Sequence, residues 1–266
     1  MDREPVVAGQ FYPADKEKLR ALVAGFVPPG ERRKAIGVMS PHAGYVYSGS
    51  VAGRTFAQVE VPERVLILGP NHQGLGHRAA LYPAGAWRTP LGRVAVDAVL
   101  SQKLLEKCPR LAEDALAHRL EHSLEVQVPF LQYLNPQLRI AAICLGRLGL
   151  SELLALGRSI GECLHGAGEE ILVVASTDMT HYESAERARV KDMAAIERIL
   201  ALDPEGLYQV VSSRNISMCG VLPTVVMLEA CRHRGATSAC LVQYTNSGEV
   251  SGDDRQVVGY AGVVVS

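Results

Sequence analysis

Apolar residues along this chain gather into short unbroken runs, separated by longer stretches in which they recur every three or four positions. The runs fall at residues 36–39, 65–68, 139–145, 171–175, 239–244 and 257–265. Several are nearly continuous in Val, Ile, Leu and Ala, the pattern of strands covered on both faces. Between and before them, residues 16–26, 124–134, 150–164, 185–200 and 221–233 carry the spacing of amphipathic helices. This alternation predicts one α/β domain over residues 1–266, with a largely parallel central sheet flanked by helices. After the second strand, residues 79–82, the turn Thr89-Pro90-Leu91-Gly92 and residues 94–96 read as short antiparallel strands added at one edge. The Pro/Gly stretch at 27–30 only separates the N-terminal helix from the first strand.

At 266 residues and 48% hydrophobic content, the chain can bury a substantial core. A net charge of −1 provides no basic field for nucleic acid, and the cluster Glu31-Arg32-Arg33-Lys34 is too short to change that. The opening MDREPVVAGQFYPAD lacks the apolar segment of a signal peptide, and no stretch approaches the roughly 20 apolar residues of a membrane span. The expectation is a soluble, cytoplasmic protein without a membrane partner. Six cysteines occur without CxxC pairing, which indicates neither a disulfide framework nor a zinc ribbon.

Candidate chemistry collects where the apolar runs end. The first is followed by SPHAGYVYSG with His42, the second by GPNH with His72, and the fourth by STDMTHY with Asp178 and His181. Asn246 and Ser247 stand in YTNSG after the fifth, and NISMCG puts Cys219 directly before a helix. In open α/β sheets, ligands bind outside the carboxyl ends of the strands. Taken singly, a histidine in a glycine-rich loop is more often a structural residue than a ligand. Asp178 alone reads equally well as a helix cap, and Cys219 as a packed thiol. His118 and His122, four apart, can share a helix face but lack the register of a zinc-protease motif. Tyr45 and Tyr47, in the loop after His42, are either hydroxyl contacts or packing aromatics. As a set, the histidines and the aspartate converge on one edge, and neutral imidazole suits Fe, Cu and Zn. The helix start beside Cys219 is expected to lower its pKa.

Together, AGQFYP (8–13), PHAGYVYSG (41–49), ILGPNH (67–72), RTPLG (88–92), EHSLEVQVPFL (121–131), STDMTHY (176–182) and NISMCG (215–220) resemble the Memo family. In prokaryotes its members are called AmmeMemoRadiSam system protein B. The resemblance spans almost the whole chain. It implies a fold related to the class III extradiol dioxygenases of the LigB type, with a metal site in a cleft. It also implies that His42, His72 and Cys219 are the ligands of an Fe or Cu ion, that Asp178 and His181 line the cleft as catalytic groups that orient a ligand or move a proton, and that His122, near the cleft, is a third catalytic candidate. Those dioxygenases use a carboxylate where this chain offers Cys219, so ring cleavage does not follow from the fold. The leading expectation is a metal-dependent redox or dioxygenase-like protein acting on an unknown small molecule or peptide. The alternatives are a binding module for a peptide or small anion, and a hydrolase with Cys219 as nucleophile, His181 as base and Asp178 as orienter.

Overall fold

The computed structural model of the protein describes residues 2–165 and 170–266. The short strand β1 (Asp2–Arg3) and helix α1 (Lys16–Phe26) precede the unit β2 (Gly37–Ser40), α2 (Tyr45–Ala57) and β3 (Arg64–Pro70). An insertion follows with β4 (Ala79–Leu81), β5 (Ala86–Thr89), β6 (Gly92–Val96), α3 (Ala98–Lys107) and β7 (Ala112–Glu113). Two 3-10 turns, Leu116–His118 and Glu125–Gln127, lead into α4 (Val128–Leu134), β8 (Arg139–Leu145), α5 (Leu150–His165) and β9 (Ile171–Ser176). The chain continues through β10 (His181–Glu183), α6 (Ala185–Leu200), α7 (Pro204–Ser213) and α8 (Val221–His233). It then passes through β11 (Ala239–Asn246) and α9 (Gly248–Ser251) to β12 (Val257–Val265).

The sheet runs β1-β5-β6-β8-β3-β9-β2-β12-β10, with β11 also paired to β12 and β4 bridging β8 and β7. Its centre, β8-β3-β9-β2, is parallel throughout, and β12 joins β2 antiparallel. The expected mixed α/β architecture with a large, flanked central sheet is what the chain adopts. Successive strand residues face opposite sides. Val38, Ile67, Ile140 and Val174 pack against Ala52 and Phe56 of α2 and Phe130 of α4. On the other side, Met39, Leu66, Leu68 and Val173 pack against Leu153, Leu156 and Ile160 of α5 and Val225 of α8. Burial on both faces is why these strands read as unbroken apolar runs.

The local differences have physical reasons. Tyr45 and Tyr47 belong to the first turn of α2, not to a loop. This helix has weak intrinsic propensity because it contains Gly49, Gly53, Val51 and Thr55. Packing stabilises it: a Cβ on Gly49 would lie 2.4 Å from the Phe26 ring, and one on Gly53 2.4 Å from the Phe26 carbonyl oxygen. Only glycine lets α1 seat so closely. Helices α3 and α7 add to the helices that apolar spacing predicts, with Asp97 and Asp203 capping them by accepting from Leu100 N–H and Gly206 N–H. Residues 124–134 do not form one helix, because Pro129 sits in the first turn of α4 and the residues before it tighten into the 3-10 turn. In the insertion, β5 and β6 do form an antiparallel hairpin, and β6 then adds parallel to β8.

The N-terminal segment is fastened by one buried carboxylate. Glu125 accepts from Arg3 Nη1 at 2.7 Å, from the backbone N–H groups of Val6 and Val7, and from Tyr12 O–H at 2.6 Å. Arg3 also donates to the carbonyls of His118 and Glu121 and lies 4.3 Å over the Trp87 ring. Both charges are buried, so removing one strands the other. Glu125→Ala is therefore expected to cost about 3–5 kcal/mol of unfolding free energy, measured in urea. A loss below about 1 kcal/mol, the range of an exposed ion pair, would contradict this fastening role.

Candidate metal site

Strand register brings the chemistry-bearing residues together. Ser40 of β2 is registered with Ser176 of β9, and His42 and Asp178 each stand two residues further on. The backbone N–H of His42 donates to Asp178 Oδ1 at 2.7 Å. His72 stands two residues past Pro70, the last residue of β3. His122 reaches the same place from the segment between the 3-10 turns. The ring centroids of His42 and His72 are 5.3 Å apart, those of His42 and His122 5.5 Å, and those of His72 and His122 4.9 Å. One potential ligand atom from each of the three lies within 4.8 Å of the others. Cys219, before the N-cap Gly220 of α8, places its Sγ 3.2 Å from His42 Nε2.

Hydrogen-bond counting assigns the ring protons. Ser176 Oγ has one hydrogen, given to the Ser123 carbonyl at 2.7 Å, and it already accepts from Gln127 Nε2. His42 Nδ1, 3.0 Å away, must therefore carry the proton it shares with that hydroxyl, which leaves Nε2 with its lone pair toward Cys219. His72 is held likewise by Glu121, whose Oε1 lies 2.8 Å from Nδ1 while Oε2 accepts the His72 backbone N–H at 2.7 Å. Glu121 is fully buried; Oε1 also accepts from Ser123 N–H and lies 3.6 Å from His122 Nδ1. Its hydrogen bonds and the His72 charge overcome burial and hold this carboxyl at about 2. Burial opposes protonation of His72, but Glu121 outweighs it and raises the imidazole's pKa. A carboxylate behind a histidine fixes its tautomer and increases its basicity, an arrangement that suits a metal ligand.

The charges around the cleft are coupled. Burial, then the neighbouring His122, His72 and His181, push the His42 pKa well below its usual value. Burial raises Asp178 to about 6 against the opposing hydrogen bond from His42 N–H and the charge of His181. The Cys219 thiol is pushed up by burial and by the Asp178 charge. The expectation that a helix start would lower it is therefore corrected: desolvation and a neighbouring carboxylate exceed the helix-dipole effect. His181 donates from Nδ1 to the Ser217 carbonyl at 2.9 Å, so its Nε2 is free.

Other sequence candidates separate. His118 does not share a face with His122; it is buried against Tyr82 and Trp87, with Nε2 on the Ala80 carbonyl. Tyr45 is a packing residue whose hydroxyl donates to the Val126 carbonyl, whereas Tyr47 is exposed. Asn246 and Ser247 form a local turn, accepting from Gly248 N–H and Val258 N–H. The thiol of Cys219 meets His42, not His181, so the hydrolase arrangement is not assembled. Glu121, Ser176 and Gln127 support the histidines through contacts that only the fold creates. Only the adjacency of Glu121 to His122 in EHSLE hinted at the first.

Fold and cleft define an α/β protein with a histidine cluster that can hold a metal ion. The family model for Memo-like proteins matches residues 3–264, and the chain belongs to the Memo family. It is 44% identical to a MEMO1 family protein of Methanopyrus kandleri, over 99% of both chains. It is 45% identical to one of Aquifex aeolicus, over 98% of both. An uncharacterized protein from Escherichia coli K12, known from its crystal structure, shares the fold at a TM-score of 0.56 and 14% identity. That likeness covers 88% of this chain and 100% of the other.

Glu121→Gln tests the orienting carboxylate. Glu121 meets two N–H donors on Oε1 and one on Oε2, and an amide can accept on one side only. Either a donor then faces a donor, or the His72 proton moves to Nε2, where a metal would bind. Metal affinity is expected to fall about 10–100-fold, read by competition with a chromophoric chelator. Unchanged affinity would show that the His72 tautomer does not depend on Glu121.

Proposed function

We propose that the cleft holds one Fe or Cu ion and carries out redox or oxygen-dependent chemistry on a small molecule. The Nε2 atoms of His42 and His72 and a ring nitrogen of His122 would hold the ion, with Cys219 as a softer fourth donor. The observation that carries this reading is the convergence of three imidazoles, two of them with Nδ1 protons committed to Ser176 and Glu121 and lone pairs left for an ion. Three nitrogens and one sulfur fit borderline and soft transition metals better than Mg or Ca.

A bound Fe or Cu ion would supply one-electron chemistry and open positions for substrate or dioxygen. The protein's own groups would supply the rest. Asp178, whose carboxyl burial raises above its usual value, would hold or pass a proton beside the ion and also anchors the loop of His42 by accepting its backbone N–H. His181, with its Nδ1 proton donated to the Ser217 carbonyl, presents the Nε2 lone pair as a proton acceptor. The Cys219 thiol, protonated in the metal-free protein, would lose its proton on joining the ion, so loading should release acid.

Anaerobic loading followed by elemental analysis tests this. His42→Ala and His72→Ala should each lose metal sharply while keeping the fold of the parent, read by circular dichroism, because the hydrophobic layers of the sheet lie outside these loops. His72→Ala should also melt lower, since it leaves the buried Glu121 carboxylate without its imidazole partner. Cys219→Ser should weaken Cu(I) binding more than Fe(II) binding. Full occupancy in the double histidine variant would overturn the site. Equal Cu(I) affinity for parent and Cys219→Ser would remove the sulfur from it.

A further inference from the structure

Beside the histidine cluster, outside the ends of β3 and β8, opens a cleft of about 640 Å³. His72 and Cys219 form the wall it shares with the candidate metal site, while Asn71, Gly146, Arg78 and Arg147 line the rest. No carboxylate is among its lining residues, although the chain as a whole carries a net charge of −1. Arg78 is engaged by Glu152 at 2.9 Å. Arg147 is exposed, and no acidic group among the described residues pairs with it.

Strand register explains why this arginine is close to the chemistry. Pro70 of β3 is registered with Leu145 of β8, and His72 and Arg147 each stand two residues beyond that pair. Neighbouring strands lie about 4.8 Å apart, so the two side chains leave adjacent ends of the sheet. The Arg147 backbone adopts φ 34°, a left-handed conformation that a side chain disfavours and glycine tolerates. Glycine precedes it at 146, yet the strained position itself carries an arginine. Such outliers concentrate where a side chain is needed in one place.

We infer that Arg147, with Arg78 lining the same cleft, receives an anionic substituent of the substrate, a carboxylate or a phosphate, beside the histidine cluster. This rests on the reading of the histidine cluster as a metal-dependent reaction site. A guanidinium offers the planar fork of donors that either oxyanion accepts, and an unpaired one has no internal carboxylate to give up when it binds.

The test uses metal-free full-length protein, so that an anion cannot bind to the metal instead. Malonate and inorganic phosphate are titrated separately while the amide resonances of Gly146 and Arg147 are followed by NMR. Both resonances should shift and saturate with at least one of the two anions, and the tighter binder identifies carboxylate or phosphoryl as the class. Arg147→Gln should weaken binding about tenfold. Arg147→Gly, which relieves the backbone strain, should weaken it as much while melting no lower than the parent. Arg20→Gln, an exposed change on α1, should leave it unaltered. No shift with either anion, or equal affinities for parent and Arg147→Gln, would overturn the inference. Metal loading is measured on the same samples. If the parent takes up no metal yet shows the Arg147-dependent shift, the metal reading fails and the anion site stands.

Discussion

Parallel pairing of four strands in one register is the constraint on which the cleft depends. Hydrogen bonding of β2 to β9 and of β3 to β8 sets Ser40 beside Ser176 and Pro70 beside Leu145. Everything two residues beyond those pairs then arrives at one edge: His42 with Asp178, and His72 with Arg147. A one-residue slip of β2 would send Val38 and Met39 to the wrong cores and carry His42 away from the Asp178 carboxylate that accepts its N–H. The hydrophobic layers on both faces therefore enforce the geometry of the polar groups at the strand ends.

Two glutamates four residues apart connect the N-terminal segment to this edge. Glu125 faces inward to Arg3, Val6, Val7 and Tyr12, whereas Glu121 faces the cleft and holds His72. Arg3 spans the two, pairing with the Glu125 side chain and donating to the Glu121 carbonyl. Phe11, from the same N-terminal segment, packs edge-on to His122 at 4.9 Å. The AGQFYP stretch thus supports the third histidine, so its role is positional. Buried ionic groups are costly in themselves, and this network offsets the cost by leaving almost every lone pair of its carboxylates occupied.

The central strands were legible because two-sided burial leaves unbroken apolar runs, and the amphipathic helices α1, α5, α6 and α8 were legible from their spacing. His42, His72, Asp178 and His181 were legible because each follows a strand end. What escaped was decided by tertiary contacts. Helix α2 forms despite its glycines because Phe26 needs them. Glu121 and Ser176 look like ordinary polar residues until the fold sets them against imidazole Nδ1 atoms. Arg147 has no local signal at all, since its meaning comes from the neighbouring strand. The raised pKa of the Cys219 thiol has no local signal, because its desolvation and the approach of Asp178 are both long-range consequences of folding.

The central claim is that imidazole nitrogens from three separate segments, with the Cys219 sulfur beside them, form one metal centre. X-ray absorption at the metal edge, on protein loaded anaerobically with one equivalent of Fe(II) or Cu(I), addresses it most directly. The account expects at least two imidazole scatterers with their multiple-scattering signature and one sulfur at a metal–thiolate distance of about 2.3 Å, the sulfur vanishing in Cys219→Ser. A first shell made only of oxygen, with no imidazole signature, would contradict it.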